Sequence, residues 1–138
     1  MKPDACLYMS DQWLMMIEAQ ALHILNAHSV RKGAFSLAEW LTDEAPSSDG
    51  AKQHRGFRLD VVDGVARVRA LSTIEEADVT VEFPYALGYR LSKLPSGPAF
   101  DTLVVESMKT GVVRIKGDPS RSPFPEHALH DAISPRTL

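Results

Sequence analysis

The chain has 138 residues, 44% of them hydrophobic and 24% charged, which is enough for one domain with a sizeable core. Its net charge of −3 lacks the basic footprint of a general nucleic-acid binder, so we expect no nucleic-acid partner. The one cysteine, Cys6, cannot close an internal disulfide, which suits a reducing compartment. The apolar run from Trp13 to Ile17 is too short to span a membrane. We therefore expect one cytoplasmic domain over residues 1–138, without stable membrane association.

Residues 10–28 predict a long helix. Four apolar residues recur at spacings of four, four and three and so share one face: Trp13, Ile17, Ala21 and Ile24. Ser10 or Asp11 is expected to cap the N-terminus by accepting hydrogen bonds from backbone N–H groups. Because the stretch holds few polar residues, this helix should be buried over most of its circumference, or line a cavity or an interface.

Residues 34–42 predict a second, shorter helix, because Ala34, Leu37, Ala38 and Leu41 fall on one side at helical spacing. Residues 42–54 then hold proline, serines, aspartate and glycine, a composition typical of a loop. Residues 1–54 are thus interpreted as a helical N-terminal part followed by a loop.

The clearest local pattern is a β-hairpin. Two alternating runs, residues 57–62 and 65–70, flank Asp63-Gly64, which is typical of a type I′ turn because both turn residues need a positive φ. A two-residue turn implies a register that pairs Val62 with Val65, Asp60 with Arg67, Leu59 with Val68, and Arg58 with Arg69. One face is then apolar, with Phe57, Leu59, Val61, Ala66, Val68 and Ala70. The other face carries Arg58, Asp60, Arg67 and Arg69.

Two further strands follow the same alternation. In residues 78–83 the apolar set is Val79, Val81 and Phe83. In residues 112–118, Val113 and Ile115 oppose Arg114 and Lys116. Four strands with one apolar and one charged face indicate an antiparallel-type sheet with one wet side. Helices must cover the other side, so the expected fold class is α+β.

Two helices are expected between these last two strands. Residues 84–94 begin with Pro84, which suits the first helical position, and carry an apolar stripe of Leu87, Leu91 and Leu94. Residues 99–110 place Phe100, Leu103, Val104 and Met108 on one side, with Gly111 as a possible C-terminal cap. A strand over residues 102–106 fits their β-branched side chains as well.

The C-terminal residues predict a connector followed by a short helix. Residues 119–125 contain three prolines and predict an extended connector. Residues 126–133 predict a short helix. The sheet core with its crossover helices is thus expected over residues 55–118, and the connector with the last helix over 119–138.

No catalytic, metal or nucleotide motif stands out, and we predict no catalytic residue, no metal ligand and no cofactor. Glu126, His127, His130 and Asp131 could together hold a metal, but a solvated C-terminal helix explains them. Cys6 has no nearby histidine to activate it, and His23 and His28 are five apart, so they do not face each other on a helix. Asp60, Asp78 and Glu82 fall on the charged face beside Arg67, Arg69 and Arg114, where exposed ion pairs explain them.

The chain is rich in large or adaptable apolar side chains, which either form an ordinary core or line a pocket. They are Met9, Met15, Met16, Met108, Trp13, Trp40, Tyr85, Tyr89 and Phe100.

Two segments resemble the sterol carrier protein family of lipid-binding domains. They are residues 77–83 (Ala-Asp-Val-Thr-Val-Glu-Phe) and 108–118 (Met-Lys-Thr-Gly-Val-Val-Arg-Ile-Lys-Gly-Asp), separated by a leucine-bearing helix. The Asp63-Gly64 hairpin matches the family's curved sheet. The resemblance covers residues 55–118, while the segment 95–110 is longer than usual and the proline-rich stretch after Asp118 departs from the family pattern.

This resemblance implies a curved, mostly antiparallel sheet of about five strands with helices covering one face. It also implies a non-catalytic binder or carrier of a fatty acid, acyl-CoA, sterol or similar molecule, held in an apolar tunnel between the layers. Carried onto this chain, the tunnel would be lined by Phe57, Leu59, Val68, Val81, Phe83, Leu87, Leu91, Phe100, Val104 and Met108.

Two other functions stay open beside this one. A small enzyme of the ketosteroid-isomerase type would need an acid or a histidine with a shifted pKa inside the cavity, and His23 is its best candidate. A dimeric accessory protein without a ligand cavity would instead use the helix over residues 10–28 as its interface.

Overall fold

The computed structural model describes residues 5–45 and 52–138. Within them the helices are α1 (Asp11–Ala27), α2 (Tyr85–Lys93), α3 (Pro98–Lys109) and α4 (Ala128–Ile133). The strands are β1 (Ala34–Leu41), β2 (Gly56–Val62), β3 (Val65–Ala70), β4 (Val79–Phe83) and β5 (Arg114–Gly117). Short 3₁₀ helices lie at Pro119–Arg121 and Ser134–Arg136. No helix in these residues is long and apolar enough to cross a bilayer.

The strands form one mixed sheet in the order β3-β2-β1-β4-β5. β1 runs parallel to β4, and the other three pairs are antiparallel. The expected α+β class, with a mostly antiparallel sheet of about five strands, is therefore confirmed.

The hairpin is confirmed in its register as well as its position. β2 and β3 pair Val62 with Val65 and Leu59 with Val68, as the two-residue turn implies. Asp63 and Gly64 have φ values of 50° and 82°, so both turn residues are left-handed. The Asp63 backbone and side chain both bond to Gly33, whose carbonyl accepts from the Asp63 N–H at 2.8 Å. This turn is thereby tied to the start of β1.

The predicted helix over residues 34–42 is wrong, because the segment forms the central strand β1. Ala34 and Ala38 are four apart, as are Leu37 and Leu41, and a spacing of four keeps two residues on one side of a helix or of a strand, so the spacing within each pair does not separate the two. In the fold, β1 gains hydrogen-bonded neighbours on both edges, β2 on one and β4 on the other. Two complete ladders outweigh a weak helical preference. The loop predicted beside it, over residues 42–54, falls partly outside the described residues, which omit 46–51.

The other predicted helices are observed. Ser10 caps α1, its hydroxyl accepting from the Trp13 N–H at 3.2 Å. Pro84 is the N-cap of α2 rather than its first residue, and Asp43 after β1 accepts from the Tyr85 N–H at 2.7 Å. Residues 98–109 form α3, so the strand alternative there is excluded. The proline-rich connector is not fully extended, because it includes the 3₁₀ turn at Pro119–Arg121.

The core lies between the helices and one face of the sheet. Seven α1 residues are buried, and the helix packs against β3 and α4. Their apolar partners on the sheet are Phe35, Leu41, Phe57, Leu59, Val61, Ala66, Val79 and Phe83. The opposite face carries the ion pairs Arg58–Asp60 and Arg114–Glu82. The inner face of β1, β2 and β4 therefore lies opposite α2, α3 and α4 as well as α1.

Candidate functional site

A cavity of about 370 Å³ lies between the inner face of the sheet and the four helices. Strand alternation turns one side chain in two toward it, and the register puts Leu37 beside Leu59 and Glu39 beside both Phe57 and Val81. The lining consists of Tyr8, Trp13, Ile17, Leu37, Glu39, Phe57, Leu59, Val81, Phe83, Gly88, Leu91, Ser92, Phe100, Val104, Val113, Ile115, Leu129, His130 and Ile133. Most of these groups are apolar, so the cavity favours an apolar occupant.

A second cavity of about 760 Å³ adjoins the first beneath the connector. The two share Leu37, Leu59, Val81, Phe100, Ile115, Leu129 and His130. Pro119, Phe124 and Pro125 of the connector form part of its wall. The proline-rich departure from the family pattern therefore lies beside the cavity.

The structure brings together seven of the ten residues expected in the tunnel. Phe57, Leu59, Val81, Phe83, Leu91, Phe100 and Val104 all line the first cavity. Their contact with a ligand stays a prediction.

Val68, Leu87 and Met108 line neither of these two cavities. Val68 lies in the edge strand β3 under α1, and its N–H donates to Glu18 of that helix at 2.8 Å. Leu87 is half-buried against the core cluster. Met108, near the end of α3, is 45% exposed.

Glu39 is the main polar residue that sequence reasoning missed. It projects from the central strand between Leu37 and Leu41, in phase with the apolar face. Burial raises the pKa of its carboxyl to about 7, because the surrounding protein cannot replace the water that stabilises the charged form. No ion pair or hydrogen bond is recorded for this carboxyl within residues 5–45 and 52–138. A charged residue on the apolar face of a strand could have indicated this buried carboxyl. The alternation was not recognised because a helix was predicted over residues 34–42.

Tyr8 is the second polar group at this cavity. Its hydroxyl is buried and has no hydrogen-bond partner among the described residues. The pKa of the phenol is raised well above its usual value, first by burial and then by the nearby Glu39 charge. The ring packs edge-on against Trp13, with 4.8 Å between centroids. Gly88 of α2 lies so close to this hydroxyl and to the Phe83 ring that an added Cβ would clash with both.

The other polar side chains of the cavity are used within the protein. His130 shares a hydrogen bond of 2.6 Å between its Nε2 and the Leu94 carbonyl, and its ring packs on Phe100. The Ser92 hydroxyl donates to the Tyr89 carbonyl at 2.8 Å. The Trp13 indole N–H donates to the Thr137 hydroxyl at 3.0 Å.

His23 lies exposed on α1 and lines neither of these cavities, so it cannot be the acid or base of an enclosed site there. The role considered for it in an isomerase-type enzyme is therefore wrong. Asp78 and Glu82, like Asp60, face outward, and lie 3.6 Å from Arg121 and 3.5 Å from Arg114 respectively.

The C-terminal histidines are separated by their local contacts. His127 is 3.4 Å from Glu126, while Asp131 accepts from the Ser96 hydroxyl at 2.5 Å. Within the part of the chain that the structure describes, no three His, Cys, Asp or Glu side chains are grouped as metal ligands.

The large apolar side chains divide between core, cavity and surface. Met9 and Met16 are buried, whereas Met15 is 71% exposed on α1. Trp13 and Phe100 line the cavity. Trp40 lies under the Arg55 guanidinium, 4.9 Å from its ring centre. The methionine-rich composition therefore does not itself form the pocket.

Comparison with solved structures identifies the fold. The chain matches the solution structure of a conserved hypothetical protein from Thermus thermophilus, possibly a sterol carrier protein, with a TM-score of 0.51 and 16% identity, over 94% of this chain and 89% of that one. It matches a crystal structure of sterol carrier protein 2 with a TM-score of 0.51 and 15% identity, over 92% of each chain. No family model matches the chain, and no curated protein does so significantly.

The chain therefore has the sterol carrier protein fold. The likeness suggested by residues 77–83 and 108–118 is confirmed at the level of the fold, since both solved structures align along almost the whole chain. It extends to the N-terminal part, which carried no recognisable motif.

Proposed function

We propose that the protein binds a lipid-like apolar molecule in the cavity between its sheet and helices, and carries it without changing it chemically. The observation that carries this proposal is the apolar cavity of about 370 Å³ between sheet and helices, a size within the range of roughly 300–1,000 Å³ usual for small-molecule sites. The sterol carrier protein fold supports it. A reducing, cytoplasmic location fits the single cysteine and is part of the same proposal.

Native mass spectrometry of protein purified without detergent tests the proposal. A lipid-like molecule retained at near-stoichiometric amount and recovered by organic extraction would support it. The absence of any bound mass, together with an unchanged melting temperature in a panel of lipids, would contradict it, because a ligand that binds only the native state must stabilise that state. The native mass also shows whether the chain is a dimer.

A pair of adjacent residues on α3 gives a matched control. Val104 lines the cavity, whereas Val105 is 50% exposed and lines neither cavity. We expect Val104→Trp to fill part of the cavity and to weaken lipid binding about tenfold or more, while Val105→Trp leaves it unchanged. Thermal melts of both ligand-free variants separate lost binding from lost folding. Equal lipid affinity in the two variants would place the ligand elsewhere.

One observation favours a second function. A carboxyl with a pKa of about 7 inside an apolar cavity is suited to general base catalysis, as an isomerase would require. In that case Glu39, and not His23, would transfer the proton. The ligands recovered from wild type and from Glu39→Gln separate the two functions. Identical molecules would support binding alone, and an isomer that accumulates only in the variant would support catalysis.

A further inference from the structure

Two polar groups at the cavity are left without a protein partner among the described residues. Trp13, Ser92 and His130 each make a hydrogen bond inside the chain. The buried Tyr8 hydroxyl does not, and the half-buried Glu39 carboxyl has no hydrogen bond or ion pair within the described residues. Buried polar groups in native proteins are nearly always paired, because an unmade hydrogen bond leaves the cost of desolvation uncompensated.

These two groups belong to the same site. Both side chains line the first cavity, and the Glu39 charge acts on the Tyr8 phenol. On the sheet, Glu39 is bordered by Phe57 across one ladder and Val81 across the other, so its flanks are apolar. Within the described residues, no lysine or arginine lines this cavity. The site therefore offers hydrogen bonds to a head group, without a positive charge to hold an anion.

We propose that Glu39 and Tyr8 form a head-group site, which selects an amphiphile with an uncharged hydroxyl head over the carboxylate of the same chain length. This inference rests on the proposed function and narrows its ligand class. A ligand hydroxyl donates to the Glu39 carboxylate or accepts from its protonated form, and it accepts from the Tyr8 hydroxyl. A ligand carboxylate at the same place meets a second carboxyl, and two such groups cannot both ionise at close range without mutual repulsion.

Calorimetric titration of the full chain at about pH 8 with decanol, decanoate and decylamine tests the assignment. We expect wild type to bind decanol at least about tenfold more tightly than decanoate, the factor that corresponds to one pKa unit of repulsion. In Glu39→Gln this preference should fall to about threefold or less, chiefly because decanoate binds more tightly. The neutral amide removes the repulsion and can donate a hydrogen bond to the ligand.

Two further variants control the experiment. Glu76→Gln removes a carboxyl that is exposed on the surface, and it should keep the full preference. Tyr8→Phe removes only the unpartnered hydroxyl, so it should fold normally and weaken decanol binding several-fold. This variant keeps the inference testable if Glu39→Gln does not fold.

The outcomes separate this inference from the proposed function. Binding of decanol and decanoate with equal affinity, or a preference that Glu39→Gln leaves unchanged, would overturn the head-group site alone. Tightest binding by decylamine would also overturn it, in favour of a cationic ligand paired with Glu39. If none of the three binds to wild type, both the site and the proposed function fail.

Discussion

Glu39 shows how a strand position alone can shift the pKa of a carboxyl. Its raised pKa has burial as its cause, with no acidic neighbour needed. Leu37 and Leu41 precede and follow it on the same face, and Phe57 and Val81 lie beside it. In such surroundings the neutral acid is the stable form at every pH below about 7.

Stability should therefore depend on pH through this residue. The folded pKa of about 7 lies above the ordinary value of 4.5, so between these two values the folded state keeps a proton that the unfolded state has lost. The contribution of Glu39 to the free energy of unfolding falls as pH rises through this window and is lowest above it. We expect Glu39→Gln to be more stable than wild type at about pH 8, by at most about 3.5 kcal/mol at roughly 1.4 kcal/mol per pKa unit.

Urea denaturation at about pH 4 and about pH 8 measures this difference. The two proteins should converge at the lower pH, where Glu39 is protonated in both the folded and unfolded states. Glu76→Gln should follow wild type at both values, because Glu76 is exposed. If the free energy of unfolding changes with pH by the same amount in wild type and Glu39→Gln, the Glu39 carboxyl is solvated in the folded protein.

The β2–β3 hairpin owes its position to its turn. Gly64 has a φ of 82°, and its Cα lies so close to the Val30 carbonyl that an added Cβ would clash with this backbone oxygen. Gly111 after α3 has a similar φ of 78° but open space around it. The two glycines thus separate the cost of a left-handed backbone from the cost of a steric clash.

We expect Gly111→Ala to lower the free energy of unfolding by about 1–2 kcal/mol, the cost of placing an L-residue in the left-handed region. Gly64→Ala should cost about 1–3 kcal/mol more, because the Val30 backbone must also move. Urea denaturation of both variants measures the two values. If both variants lose the same free energy of unfolding, the backbone at Val30 moves aside at no measurable energetic cost.

At the scale of the whole molecule, the two ends of the described chain hold the helical layer together. Cys6 and Thr137 form a parallel bridge, in which the Cys6 N–H donates to the Arg136 carbonyl at 2.7 Å. The Thr137 hydroxyl accepts from the Trp13 indole and donates to the Ile133 carbonyl at 3.1 Å. Trp13 and Ile133 both line the cavity, so this contact joins α1 and α4 at its wall.

Replacing Thr137 tests this junction. Thr137→Val keeps the shape but leaves the buried Trp13 N–H without an acceptor, so we expect a loss of about 1–3 kcal/mol in the free energy of unfolding. Thr137→Ser keeps the hydroxyl and should lose less than about 1 kcal/mol. Thermal and urea melts compare them. If the two variants are equally stable, the indole hydrogen bond contributes nothing measurable.

The sequence by itself determined the parts whose contacts are local. The Asp63-Gly64 turn implies its own register, and α1 is capped by Ser10 three residues from its partner, so short-range geometry decided both. Alternation along β2 and β4 likewise separated the charged face from the apolar one. Phe57, Leu59, Val81 and Phe83, four of the ten expected tunnel residues, line the cavity for that reason.

Only the tertiary structure decided the identity of β1 and the polar part of the site. Residues 34–41 fit both the helical and the strand period. They form a strand because they pair with β2, some twenty residues further along the chain, and with β4, about twice as far along. Glu39 therefore entered the cavity unpredicted. Tyr8 reaches it through contacts with Trp13 and with the ring of Tyr89 on α2, which no local pattern encodes. The physical reason is that long-range pairing and burial, unlike a turn or a cap, depend on residues that the chain brings together only when it folds.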